Sequence, residues 1–353
     1  MLAIQQYGNA TMNLLITTKT VDENDQLLGF FIEWIRLFSK KFEKVTVFCL
    51  EKSGFNLPEN VEVLSLGKDK GHSKIRQLYT LYFLLSTRRR EYDAVFVHMN
   101  PIWMIAGGML WKLLGKRSFF WYTSGGVTFQ LRWAEKFADT IFTASPESFR
   151  LKSNKVIVTG HGIDTELFKP SNRPKLEPEK LKILSVGRIA PVKNYEILVD
   201  ACKLLKGWNI NFQVTMIGEP ALEEDKTYEK DLKSKIKSLG LESCFKFLGK
   251  VGHDDLPRYY QSHDLFIHLS KTGSLDKTML EAISCGMKIL SSSDAARAFM
   301  STGLFLFENN PMDLADKIVI IAKQQANPDL RNYVIENHNL YKLIDKISEM
   351  IMS

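Results

Sequence analysis

Two cations and one acid carry the chemistry this sequence offers. Arg188 and Lys193 stand on either side of Pro191, just beyond the apolar run Lys182–Gly187 that reads as a strand. From a strand end, both side chains can reach one anion. The acid is Glu281, within Leu269–Leu290 (LSKTGSLDKTMLEAISCGMKIL). That stretch reads as a strand end, a small polar loop, a helix and a new strand. Met279, Leu280 and Ile283 share one helical face, Gly286 stops the helix, and Lys288–Ser291 begins the strand. A helix starting near Lys277 or Thr278 aims amide N–H groups and a positive dipole end above the sheet, which favours an anion there. Glu281 lies one turn in, on the side that can face the same ligand. An ordinary strand-helix-strand unit shows the same pattern, and taken alone that is the commoner meaning.

The elements that must position these groups follow from length and pattern. At 353 residues the chain exceeds one ordinary core, so two domains are expected. Hydrophobic residues make up 45% and charged residues 25%, the balance of a soluble globular protein. A net charge of +7 favours anionic partners: nucleotides, phosphate or an anionic membrane face. Nucleic acid is not expected, since no zinc-finger, RNA-recognition or basic-zipper pattern is found. Cys49, Cys202, Cys244 and Cys285 are far apart among apolar neighbours, which reads as reduced core thiols in a cytoplasmic protein. MLAIQQYGNAT lacks the basic start and apolar stretch of a signal peptide, and Met12 is an alternative start.

Along the chain, strands and helices alternate. Strands are expected at Asn13–Thr17, Val45–Cys49, Val61–Ser65, Ala94–His98, Ser118–Tyr122, Thr140–Thr143 and Lys155–Val158, with helices at Leu27–Phe38, Ser73–Ser86, Ile102–Leu114 and Gln130–Ala138. The apolar run Ile102–Leu114 is too short to span a bilayer. His161–Glu179, with Pro170, Pro174 and Pro178 and no periodicity, reads as an interdomain linker. A second alternating series runs from Lys182 to Ser291, and two tail helices follow at Met312–Gln325 and Asn339–Ile351. The fold class is therefore α/β: two Rossmann-like, doubly wound domains facing a cleft, with ligands beyond the C-terminal strand ends.

Three ordered segments sharpen this reading: SVGRIAPVKNYEIL (Ser185–Leu198), LGKVGHDDLPRYYQSHDLFIHLS (Leu248–Ser270) and the stretch around Glu281. Together they resemble the family 4 glycosyltransferases of the two-Rossmann GT-B fold. HGIDTELFKP (His161–Pro170) looks like that family's N-G-[VI]-D…F-x-P segment, with His161 in place of Asn. The resemblance covers the C-terminal half well and the first half mainly in layout. It implies domains at 1–162 and 163–335, with a helix at 336–353 crossing back to the first. It also implies transfer of a hexose-type sugar, with retention and without a metal, from a UDP- or GDP-linked donor to a glycan, lipid-linked or small-molecule acceptor. No other cofactor is expected. Arg188 and Lys193 would meet the diphosphate as charge grows on the leaving oxygen, and Glu281 the ribose hydroxyls. The donor side further takes in Gly29, Gly187, Gly218, Lys250, Val251, Ser274, Leu275, Lys277 and Thr278.

The chain departs from the family pattern twice. The first Glu of the paired-acid motif is Gly273, so E-x-F-G becomes Gly273-Ser274-Leu275-Asp276. Asp276 or Lys277 can supply polar contacts from that loop. In the first half, Ser124 stands where many members carry a His; a hydroxyl hydrogen-bonds but carries no proton at neutral pH. The catalytic set is thus Arg188, Lys193, Ser124 and Asp276. Acceptor-side candidates are Asp22 and Asp25 in the loop after the first strand, then His98, Asn100, Trp103 and Trp121. Solvated loop acids and structural histidines are the commoner outcome for such residues. His253, His263 and His268 fall on different elements, and no metal site is read there.

One more stretch has its own chemistry. Lys68, Lys70, Lys74, Arg76 and Arg88–Arg90 flank Leu78, Tyr79, Tyr82, Phe83 and Leu85. A basic amphipathic helix of this kind suits the inner face of a cell membrane, while a Rossmann helix with its apolar face on the sheet accounts for it slightly better. The alternatives to a transferase are a donor-binding subunit with weak turnover, or a GT-B epimerase or phosphorylase.

Overall fold

The computed structural model describes residues 12–25, 27–171, 180–270, 274–304, 306 and 310–353. Gly273 and the linker residues Pro174 and Pro178 lie outside them. The chain forms two compact units: residues up to Gly162 together with Leu340–Ser353, and Ile163–Asn339.

The first unit runs β1 (Asn13–Val21), α1 (Phe31–Ser39), β2 (Lys44–Lys52), β3 (Val61–Ser65), α2 (Lys74–Thr87), β4 (Ala94–His98), α3 (Pro101–Leu113), β5 (Arg117–Trp121), α4 (Phe129–Phe137), β6 (Thr140–Thr143) and β7 (Val156–Val158). The sheet order is β3-β2-β1-β4-β5-β6-β7, parallel throughout, and reverses between β1 and β4. The second unit runs β8 (Leu181–Val186), α5 (Tyr195–Gly207), β9 (Phe212–Ile217), α6 (Glu223–Ser238), β10 (Phe245–Phe247), α7 (Leu256–Ser262), β11 (Leu265–His268), α8 (Lys277–Ser284), β12 (Lys288–Ser291), α9 (Pro311–Ala322) and α10 (Pro328–Asn337). Its order, β10-β9-β8-β11-β12, is again parallel and reverses between β8 and β11. The last helix, α11 (Leu340–Met352), belongs to the first unit.

Strand alternation sends successive side chains of the first sheet to opposite faces. Leu14, Ile16, Val45, Val47 and Phe96 meet Trp34 and Phe38 of α1 and Leu343, Ile344 and Ile347 of α11. Leu15, Phe48, Val95, Val97 and Phe120 meet Leu81 and Leu85 of α2, Trp103, Met104 and Trp111 of α3, and Leu131 and Ala134 of α4. Both faces are therefore dry, as a parallel sheet requires.

Four expectations need correction. β1 continues four residues past Thr17, because Thr20 and Val21 keep pairing with Glu51 and Lys52. α1 starts at Phe31, not Leu27: the Asp25 carboxylate accepts the amides of Leu27 and Leu28 at 2.9 and 2.7 Å and holds a turn there. The described part of the supposed linker is folded, with Ile163 and Phe168 fully buried and Ile163 bridged to Asn339. The tail contains α10 as well as the two expected helices. Asn327 caps it by accepting the Asp329 amide at 2.9 Å, Pro328 opens it, and Leu330 and Val334 bury one turn apart.

Candidate functional site

In the second unit the groups read from sequence gather at the C-terminal ends of β8 and β11, where the strand order reverses. That is the usual ligand position of an open parallel sheet. The backbone permits this at Gly187, which follows β8 with φ +150°. A Cβ there would sit 3.3 Å from Lys193 Cε. The Ser185 hydroxyl donates to the Ile267 carbonyl at 2.9 Å, and the Asn194 amide nitrogen donates to Leu269 O at 2.9 Å. These two bonds fix the loop after β8 against the end of β11.

Lys193 and Asp276 form the electrostatic centre. Lys193 Nζ lies 2.5 Å from Asp276 Oδ2, and the His268 Nε2 lies 3.0 Å from the same oxygen. The other oxygen, Oδ1, caps α8 by accepting the Thr278 amide at 3.3 Å and its hydroxyl at 3.2 Å. Burial alone would raise the Asp276 pKa, but Lys193 and His268 outweigh it and hold the carboxyl well below its ordinary value. Burial would likewise lower Lys193, and the Asp276 charge outweighs it in the opposite sense, so the ammonium titrates above its usual range.

Arg188 is placed differently. Its Nε is 3.6 Å from Asp225 Oδ2, a carboxylate at the start of α6 that also accepts the amides of Ala221 and Leu222 at 3.1 and 3.0 Å. Arg188 and Lys193, expected to serve one anion, each face a carboxylate of their own here. Lys277 is half-buried, and burial lowers its pKa to about 8 against the opposing charges of Glu281 and Asp164.

Glu281 is 2% exposed. Tyr260 donates its hydroxyl to Oε2 at 3.0 Å, and His253 Nε2 lies 3.2 Å from Oε1. Burial would lower the His253 pKa, yet its hydrogen bonds to Asp254 and Glu281 raise it. Each carboxylate oxygen keeps a further lone pair for another donor. Gly218 follows β9 with φ +131° and donates to Gly249 O at 2.8 Å. The Lys250 amide donates to Glu219 Oε1 at 3.1 Å, and Val251 packs against the neighbouring apolar cluster. Ser274 is half-buried beside the cap. Leu275 is 4% exposed and packs within the apolar cluster of the second unit.

In the first unit the candidates scatter. Asp22 accepts the Asn24 amide at 2.9 Å, and Asp25 holds Leu27 and Leu28, so both acids shape their own loop. Gly29 is required by that loop: a Cβ would meet the carbonyl oxygens of Asp25 and Glu23 at 2.7 Å. Asn100 caps α3 through the Ile102 amide at 3.1 Å. His98 is buried, 3.2 Å from the Thr18 hydroxyl, and stacks on Phe31 at 3.8 Å. Trp121 and Trp103 are core residues rather than groove-lining ones; Trp121 stands edge-on to Trp34 at 5.0 Å. Ser124 is half-buried, its amide donates to Ser148 O at 2.9 Å, and its hydroxyl accepts the Gly126 amide at 3.5 Å.

Sequence reading missed Asp225, Tyr260, His253 and His268 as partners of the chosen residues. His268 had a usable signal, since it ends an apolar strand directly before the loop. Asp225 lies 37 positions beyond Arg188 in a run of acids, and nothing local singles it out.

Two parallel-sheet Rossmann units in one chain, the last helix returned to the first, are the architecture of the GT-B glycosyltransferases. The crystal structure of Anabaena HepE in complex with UDP and glucose shares it with a TM-score of 0.79 and 18% identity, over 96% of this chain and 99% of that one. Residues 168–340 match the family described as Glycosyl transferases group 1, so the second unit is a group 1 domain. Mannosylfructose-phosphate synthase of Agrobacterium fabrum is 30% identical over 149 residues, 40% of this chain but only 33% of that protein. The match thus spans about a third of that relative's length. An Escherichia coli protein, UDP-Gal:alpha-D-GlcNAc-diphosphoundecaprenol alpha-1,3-galactosyltransferase, is 23% identical over 343 residues, 84% of this chain and 82% of its own.

Proposed function

We propose that this protein is a glycosyltransferase that moves a hexose-type sugar from a UDP- or GDP-linked donor to an acceptor hydroxyl. The observation that carries it is the charge arrangement at the β8/β11 strand ends of the group 1 domain. Lys193 sits on Asp276 at the start of α8 with the Arg188 charge acting on it, and Lys277 lies in the first turn of the same helix within the field of Glu281. Cleaving a sugar nucleotide puts new negative charge on a phosphate oxygen, and fixed cations in a poorly hydrated site stabilise it most as that charge grows. Glu281 has lone pairs for the two ribose hydroxyls while Tyr260 and His253 hold it in place. Three side-chain cations answer the diphosphate charge, so the reaction as proposed takes no metal. With Ser124 unable to carry a proton, the donor phosphate oxygen itself takes the acceptor proton, and the acceptor attacks from the leaving-group side with retention. The acceptor is a glycan, a lipid-linked sugar or a small molecule.

The test is calorimetric titration with UDP and GDP, then release of free nucleotide from a panel of sugar nucleotides. Arg188→Ala is expected to weaken nucleotide binding by about 1.5–3 kcal/mol, roughly 10- to 150-fold. The fold should persist, because Asp225 keeps the Ala221 and Leu222 amides. Unchanged affinity would remove Arg188 from the site. The pairing of Lys193 with Asp276 favours a second reading, a donor-binding subunit with little turnover. Nucleotide binding without release for any donor and acceptor would select it.

A further inference from the structure

The outer side of the α2–α3–α4 layer is unusually apolar for a surface in water. In α2, Ile75, Leu78, Tyr79, Tyr82 and Phe83 recur at i, i+3, i+4, i+7 and i+8, the stripe by which a helix normally meets its core. Here only Leu81 and Leu85 of that helix are buried, while Ile75 is 83%, Tyr79 71% and Phe83 54% exposed. The slightly favoured expectation, that this apolar face packs on the sheet, is thus corrected: the helix has two apolar sides and the richer one faces out. The other two helices on that sheet face expose apolar side chains as well. α3 and α4 pack on each other and cover the same sheet face as α2. They expose Ile102, Met109 and Leu113, and Phe129 and Trp133. A patch of this kind marks a docking surface.

Charge decides what docks. From Lys70 to Arg90 the chain carries six cations, Lys70, Lys74, Arg76 and Arg88–Arg90, and no acid. Arg88 is committed to Glu62 and Glu91, whereas Lys70, Lys74, Arg76, Arg89 and Arg90 are exposed. Lys136 Nζ rests 4.7 Å from the centre of the Trp133 ring. Two copies of the chain meeting face to face through this surface would set like charges against each other. An anionic bilayer leaflet supplies the complement: negative headgroups for the cations, an apolar boundary for the aliphatic side chains, and the interfacial depth that Tyr and Trp prefer.

We infer that the outer face of α2, α3 and α4 is a docking surface for an anionic lipid bilayer, on which the protein lies without crossing it. Among the described residues no helix is long and apolar enough to span a membrane. The inference does not depend on the donor site, because none of these residues contributes to the β8/β11 loops.

The experiment is sedimentation of the full chain with vesicles of phosphatidylcholine alone and with about one-third phosphatidylglycerol. Binding is expected only to the anionic vesicles, weakening as salt rises from ~0.1 to ~0.5 M. Tyr79→Ser with Phe83→Ser should lower partitioning by about tenfold or more. Lys74→Gln with Arg76→Gln should lower it by roughly 25-fold at low salt, at about fivefold per charge. Circular dichroism and UDP titration should be unchanged in both. Absence of binding to anionic vesicles, or equal binding by wild type and both variants, overturns the inference. A change of oligomeric state in place of lipid binding overturns it too, in favour of a second copy.

Discussion

Replacing Asp276 by Asn tests the centre of the site most sharply. Asn keeps the shape and still caps α8, because its side-chain oxygen can accept the Thr278 amide. What it removes is the negative charge 2.5 Å from Lys193 and 3.0 Å from His268. The Lys193 side chain is 14% exposed and Asp276 21%, so solvent cannot replace that partner fully. Removing one member of a buried pair costs about 3–5 kcal/mol, and this partial exposure puts the expectation at the lower end, about 3 kcal/mol. For a unit of this size that is roughly 6–12 °C in Tm at neutral pH. The pH dependence fixes the cause. In the wild type the depressed Asp276 pKa gives stability that is present above about pH 4 and lost as pH falls through the lower folded value. The raised Lys193 pKa gives stability present below about pH 10 and lost above it, so the pair contributes a plateau between. Without Asp276, burial dominates Lys193 and lowers its pKa, so the folded variant prefers the neutral amine. Its deficit should then shrink as pH rises from about 7 to about 10. Thermal melts of both proteins across that range are the assay. A difference under about 2 °C at pH 7, or a deficit that does not shrink with rising pH, would refute the reasoning.

Three further outcomes follow from the same geometry. With the Lys277 pKa lowered to about 8, nucleotide affinity should fall as pH rises through that value, and Lys277→Met should flatten the profile; titrations at several pH values read both. Glu281→Gln removes the charge that helps raise the His253 pKa, a contribution present below about pH 6.5 and lost as pH rises through the folded value. The melting deficit of that variant should therefore be larger near pH 5.5 than near pH 8.5, and an equal deficit would detach His253 from Glu281. Ile347→Ala empties a fully buried position where α11 meets the first sheet, at about 2–4 kcal/mol by chemical denaturation, whereas Phe83→Ser on the exposed face of α2 should stay within about 0.5 kcal/mol.

Much of the fold was legible because the two sheets are parallel and their strands are short apolar runs bounded by Gly and Pro. β3, β4, β6 and β12 carry the residues expected of them. Where reading failed, a side chain acted through the backbone. Asp25 delayed α1 by capturing two amides, and nothing in the apolar spacing from Leu27 onward reveals that. α10 buries only Leu330 and Val334, too little periodicity to stand out, although Asn327-Pro328 is a fair start signal. Residues read for chemistry in the first unit suffered from the dryness of its sheet. With both faces covered, His98 and Trp121 at strand ends look like groove residues in sequence and turn out to be packing.

The second unit shows the converse. Its cations were found because Gly187, Pro191 and the strand before them announce a loop at a strand end, a local signal. Their counter-ions were not found because an ion pair has no sequence spacing: Arg188 meets Asp225 across 37 positions and Lys193 meets Asp276 across 83. The consequence is chemical. Asp276 occupies the place of a glycine in the resembled motif, at the start of α8, where the diphosphate is expected. It caps the amide of Thr278 and holds Lys193, so on the proposed function an incoming diphosphate meets a cation already paired and must share or displace that carboxylate. Displacement would release Asp276 toward His268, whose ring lies 3.0 Å away and can receive it. With Gly273 where the resembled motif has Glu and Asp276 where it has Gly, the loop carries its acid three residues later, tied to the cation that the proposed function assigns to the donor.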